Sequence, residues 1–235
     1  GSDLLVRIGK PSDVVIELAT MLNVRQVRVA DHAGVDEAAH IQAVEQGLPS
    51  QTALECIESG RLIDRQVLPF EREALPGSFS AFRRSVEGVC TVPASRCAPV
   101  TLPPWPEAAR GFPPLKAVCE MSATWQPDSR QGYAYGGGET AAHVRLDNYL
   151  WRQQGGKAYK KTRNGLLGAN FSTRVSPWLA RGCLSARQVY EAVKAWEAEN
   201  GSNESSYWIS FELLWREYFI HAAQLEGAQM FGSRQ

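Results

Sequence analysis

The chain has 235 residues, 44% hydrophobic and 21% charged, an ordinary globular balance that excludes a disordered or low-complexity polypeptide. Lys and Arg number 25 and Asp and Glu number 25, so the formal net charge is zero and no global charge draws the chain to nucleic acid or to an anionic membrane. No apolar run is long enough to span a bilayer, no secretory signal opens the sequence, and the five irregularly spaced cysteines argue against a disulfide framework. No Cys-x-x-Cys pair occurs and the four histidines sit in no ligand-like spacing, so no metal site is expected.

Taken in chain order, Leu4–Ile8 reads as a short apolar strand. Ser12 or Asp13 then caps a helix whose apolar positions are Val14, Val15, Leu18 and Met21-Leu22. Gln26–Asp31 is the next strand, residues 36–46 a second helix and Thr52–Ile57 a third strand. Strands alternating with helices predict a parallel sheet, and no Gly-x-Gly-x-x-Gly follows a strand, so the dinucleotide fingerprint is missing. From about Thr91 to Pro127 the chain is rich in proline and reads as an extended connector. After Gly136 it turns helical: Thr140 opens a helix through Arg152, Ser176-Pro177 starts another, and Ser185 caps a third with Val189, Val193 and Trp196 on its apolar face. That helix ends near Asn200-Gly201, and Ser205 or Ser206 precedes a final helix through about Leu225.

Two stretches carry chemistry. Residues 151–175 hold Arg152, Lys157, Lys160, Lys161, Arg163 and Arg174 and no acid, a local basic run suited to phosphate; a solvated loop is the plainer reading of the same residues. Ser172, Thr173 and Ser176 lie just before a helix start, where hydroxyls, free N–H groups and the helix dipole favour an anion. In Tyr207–Tyr218, Glu212, Trp215 and Arg216 fall within one helical turn. A carboxylate, an indole and a guanidinium on one surface suit a flat, polar, aromatic ligand, although an amphipathic helix with a buried Trp and a Glu–Arg rim pair accounts for them as well.

Gly136-Gly137-Gly138-Glu139-Thr140-Ala141-Ala142, Tyr159-Lys160-Lys161-Thr162-Arg163-Asn164-Gly165-Leu166, Asn170–Leu179 and the Glu-Leu-Leu-Trp-Arg block at Glu212–Arg216 come in an order that resembles the cryptochrome/photolyase superfamily, its DASH branch most closely. A weaker likeness covers the preceding residues, including Leu68-Pro69-Phe70 and Ser78–Arg84. The resemblance implies an α/β part followed by an all-α part: a partial parallel sheet at residues 1–90, a Pro-rich interdomain linker at 91–135, and a partial helical FAD-binding-type domain at 136–235. It implies FAD contacts at Tyr159, Ser172, Thr173, Arg174, Ser176 and Arg216, and places Glu212 and Trp215 where photolyases face the pyrimidine dimer. The reaction implied is light-driven electron transfer from reduced FAD to a cyclobutane pyrimidine dimer.

Against the family pattern, the opening strands with a Trp-Phe-Arg-x-Asp-Leu-Arg-like segment, and the later Asn-Arg-Gly-Arg-Gln-Asn-like segment facing the flavin ring, have no counterpart in these residues. The expectation is therefore a truncated, non-catalytic structural or interaction subunit, with a protein partner covering the exposed half-sheet at Leu4–Ile8 and the half-bowl at the Tyr207–Leu225 helix. The alternative is a blue-light FAD photoreceptor or single-stranded DNA photolyase completed by parts outside the chain. The resemblance also points to an organelle, chloroplast or mitochondrion.

Overall fold

The computed structural model describes residues 4–106, 128, 130–166 and 168–231. They form two compact units: residues 4–59, 97–106 and 226–231 in one, residues 60–96, 128, 130–166 and 168–225 in the other. The architecture is α/β, then helical. The units divide the chain differently from the three sequence segments, because residues 60–96 pack with the helices rather than with the sheet. Residues 107–127 and 129, most of the proline-rich stretch, lie outside the described residues.

The first unit contains α1 (Pro11–Met21), β1 (Gln26–Ala30), α2 (Val35–Gly47) and β2 (Ala53–Ile57). β1 and β2 are parallel, in register from Gln26 opposite Ala53 to Ala30 opposite Ile57, so α2 is the crossover helix that parallel pairing requires. Val27 and Val29 turn to the covered face, while Arg28 on the other face bonds Glu55 at 2.7 Å across the strands. The expected strand at Leu4–Ile8 is absent: the segment is irregular, and Leu4 and Ile8 are exposed. Among the described residues the sheet has two strands and neither edge pairs with this segment, and a strand has no ladder without a partner. The cap of α1 also shifts, to Lys10, because Pro11 pre-sets the helical φ one residue before Ser12.

The second unit is built from α3 (Phe79–Val86), α4 (Gly138–Asp147), α5 (Tyr159–Thr162), α6 (Ser176–Ala180), α7 (Ala186–Asn200) and α8 (Glu204–Glu226). α4 runs into a single π turn at Asn148–Arg152. Its core joins Phe82, Leu146, Tyr149, Leu150, Val193 and Trp196, all buried. Ser185 caps α7 with a full capping box: its Oγ accepts from Gln188 N–H at 3.1 Å and Gln188 Oε1 accepts from Ser185 N–H at 2.8 Å. Gly201, at φ +82°, closes that helix where a side chain would be strained. The cap of α8 is Asn203 rather than a serine, its Oδ1 accepting from Ser205 and Ser206 N–H; both serines are buried, and Ser206 Oγ donates to Glu197 at 2.6 Å. Thr140 sits inside the first turn of α4, which opens at Gly138. Glu217, fully buried on α8, accepts from Leu62 N–H at 2.8 Å and so ties residues 60–64 to the helices. No described helix is long and apolar enough to cross a membrane.

Candidate functional site

α5, the loop after it, α6, Val189 of α7 and the middle of α8 line a half-open cavity of about 460 Å³, within the size range of small-molecule sites. Tyr159, Ser172, Thr173, Arg174, Ser176, Glu212 and Arg216 all line it, together with Arg163 and the apolar Val175, Leu179, Val189, Ile209 and Leu213. Residues separated by more than fifty positions in the chain thus meet on one wall.

The loop side is rich in donors. Among the described residues, no acceptor pairs with the backbone N–H of Ser172, Thr173, Arg174, Val175 or Ser176, nor does any group bond the hydroxyls of Ser172, Thr173 and Ser176. α6 has only five residues, so the dipole expected to favour an anion is short, and the donors lining the cavity on this side belong to the loop itself. Arg174 takes a left-handed φ of +54°, and its guanidinium turns back to donate to the carbonyls of Leu166 at 2.9 Å and Gly168 at 2.8 Å. It shapes the loop as well as lining the cavity. Thr162 Oγ1 donates to the Phe171 carbonyl at 2.8 Å and pins the other side.

Half of the basic run is balanced by acids from elsewhere in the chain. Lys160 pairs with Glu204, Arg152 with Asp147 at 3.8 Å and Arg163 with Glu212 at 2.7 Å. Only Arg163 and Arg174 of the run reach the cavity. Arg216 Nη1 donates to the Gly60 carbonyl at 2.6 Å; desolvation lowers its pKa, partly offset by the Glu217 carboxylate, and a guanidinium keeps its charge nonetheless. Tyr159 is buried at the cavity wall, and desolvation, with the negative charge of Glu212 adding to it, pushes its hydroxyl up to about 12.

Trp215 stands apart from the other expected site residues. It lines an adjoining open recess of about 530 Å³ with Arg163, Trp208, Phe211, Glu212 and Phe219. Its indole stacks on Phe79 with ring centres 3.6 Å apart and planes 13° apart, and Phe219 stacks on it at 5.5 Å. Arg163 lies over the Trp208 ring at 4.6 Å. Glu212 and Arg163 line both spaces, so the helix surface read as one triad divides: Glu212 and Arg216 serve the cavity, Glu212 and Trp215 the aromatic recess.

Arg145 escaped the sequence reading. It is buried on α4 at 1% exposure and donates to the carbonyls of Ala169, Ser172 and Thr173, each at 2.8 Å, and to Asn170 Oδ1 at 3.0 Å. The available signal was a cation inside the helical stripe Ala142, Arg145, Leu146, Tyr149, all of which are buried.

The donor set fits the diphosphate of a dinucleotide such as FAD: hydroxyls, unpaired N–H groups and cations surround a space in which Glu212 is the one acid among the described lining residues.

No protein-family model matches the chain. It is 37% identical over 232 residues to a cryptochrome DASH of Gloeobacter violaceus, covering 98% of this chain and 46% of that protein. It is 37% identical over 222 residues to a cryptochrome DASH, named chloroplastic/mitochondrial, of Arabidopsis thaliana, covering 93% of this chain and 39% of that protein. A Synechocystis cryptochrome structure superposes with a TM-score of 0.85 at 33% identity, over 98% of this chain and 48% of that one. A class III photolyase from Agrobacterium tumefaciens matches at a TM-score of 0.68 and 19% identity, a likeness of fold. The chain spans about half the length of the curated relatives it matches.

Proposed function

The chain belongs to the cryptochrome/photolyase superfamily, with DASH cryptochromes as its relatives, and from that premise we propose that it supplies the phosphate-holding part of an FAD site in a blue-light protein. The observation that carries the reading is the convergence of Tyr159, Ser172, Thr173, Arg174, Ser176 and Arg216 on one cavity, although they come from four separate elements. FAD, when bound, supplies light absorption and the electron. The chain's residues bind and orient: the Ser172–Ser176 donors hold the diphosphate, Arg163 and Arg216 supply positive charge, and the apolar wall excludes water. Glu212 offers a carboxylate to ring N–H groups, and the recess around Trp215 offers a stacking face to a base of single-stranded DNA carrying a pyrimidine dimer.

The test is an absorption spectrum of natively purified protein with its released chromophore identified. About one FAD per chain supports the reading. A colourless preparation that also fails to take up added FAD sinks it.

A second reading, a non-catalytic subunit held by a protein partner, draws on the exposed apolar face of α8: Phe219 is 52% exposed and Leu225 43%. The covered-edge version of that idea loses its basis at Leu4–Ile8, which is not a strand. A monodisperse monomer by light scattering, unchanged on dilution and concentration, would count against the partner reading.

A further inference from the structure

The loop Ser172–Ser176 lines the cavity with donors that have no partner among the described residues, and the loop's buried carbonyls must be satisfied from elsewhere. The buried guanidinium of Arg145 occupies them. Its Nε donates to the Thr173 carbonyl, one Nη to the carbonyls of Ala169 and Ser172, and the other Nη to Asn170 Oδ1. The rings of Tyr133 and Tyr149 lie 4.7 and 5.2 Å from its central carbon. Among the described residues no carboxylate pairs with it. A buried cation is costly unless paired, and this one is compensated only by carbonyl dipoles, an amide oxygen and two π faces. Its positive charge therefore has no carboxylate to neutralise it, beside a loop whose N–H groups and hydroxyls have no partner among the described residues.

We infer that Arg145 is a positioning residue for a phosphate-bearing ligand: its fork draws the loop carbonyls to itself, leaves the loop donors free for the cavity and places a positive charge without a carboxylate partner behind them. The inference rests on the phosphate-holding reading of the same loop and adds the residue that builds it. Lys cannot replace it, because an ammonium has three donors radiating from a point and cannot reach the four acceptors that the guanidinium fork holds.

The experiment follows the backbone amide resonances of the full chain, labelled with nitrogen-15, while inorganic pyrophosphate is added. In the wild type, the Ser172–Ser176 amides shift along one saturation curve, and the Arg145 Nε–H resonance, protected by its bond to Thr173, shifts along the same curve. In Arg145→Met and Arg145→Lys the pyrophosphate affinity falls tenfold or more, while amides of α7 and α8 keep their wild-type positions. A purely structural role would instead move those helix amides and leave the pyrophosphate affinity of the folded fraction unchanged. A folded variant that binds pyrophosphate within twofold of the wild type overturns the inference. Should neither variant fold, the wild-type Nε–H resonance decides: failure to shift with the loop amides overturns it equally. Wild-type loop amides that ignore pyrophosphate altogether overturn the phosphate-holding reading itself.

Discussion

Tyr159 links the cavity to stability. Its hydroxyl is raised to about 12 from an ordinary 10 by burial, so the folded chain favours the neutral phenol. A folded-state pKa above the unfolded one contributes stability that is complete below about pH 10 and is lost as pH rises through about 12, an effect on the order of 2–3 kcal/mol for a shift of this size. Tyr149, also raised by burial, adds to the same alkaline loss. The Tyr159→Phe variant is expected to lose about 2 kcal/mol less than the wild type between pH 10 and 12, measured as urea midpoints across that range. A second residue-scale constraint is Gly155, where a Cβ would sit 2.4 Å from the buried Tyr149 ring. Gly155→Ala is expected to cost about 1–3 kcal/mol by overpacking, read from thermal unfolding. The resemblance made Tyr159 legible as a cavity residue. Arg145 was not legible, because three of its four partners are main-chain carbonyls 24 to 28 positions away, and a carbonyl leaves no mark in a sequence.

At the scale of elements, the best-read helix was α7, whose cap, apolar face and stop are all local signals. Ser185→Ala removes the acceptor for the Gln188 N–H and is expected to cost about 1 kcal/mol, seen as a lower melting temperature without change in the spectrum at 25 °C. Parallel β1 and β2 were equally legible, because the βαβ alternation repeats over a short span. Leu4–Ile8 was misread because apolar composition indicates strand propensity, whereas a strand also needs an edge to pair with. The start of α8 was misread for a different reason: Asn203 and the two serines are all good caps, and packing decided between them by burying the serines against α5 and α7. The division of Glu212 and Trp215 between two spaces also lay beyond the sequence, since the stack that holds Trp215 comes from Phe79, far upstream.

At the scale of the molecule, the helical unit is discontinuous in sequence: residues 60–96 are part of its core through Phe79, Phe82 and Val86. A polypeptide of residues 136–225 would expose the aromatic faces that those side chains cover. It is expected to lack a cooperative thermal transition, whereas residues 60–225 retain one, both followed by circular dichroism. The shared wall has a broader consequence. Arg163 and Glu212 bond to each other at 2.7 Å while bordering both the cavity and the aromatic recess. A guest on either side that claims one member of the pair releases the other toward its neighbour, so the two occupancies are thermodynamically linked. Linkage is reciprocal: whatever factor one guest imposes on the affinity of the second, the second imposes on the first.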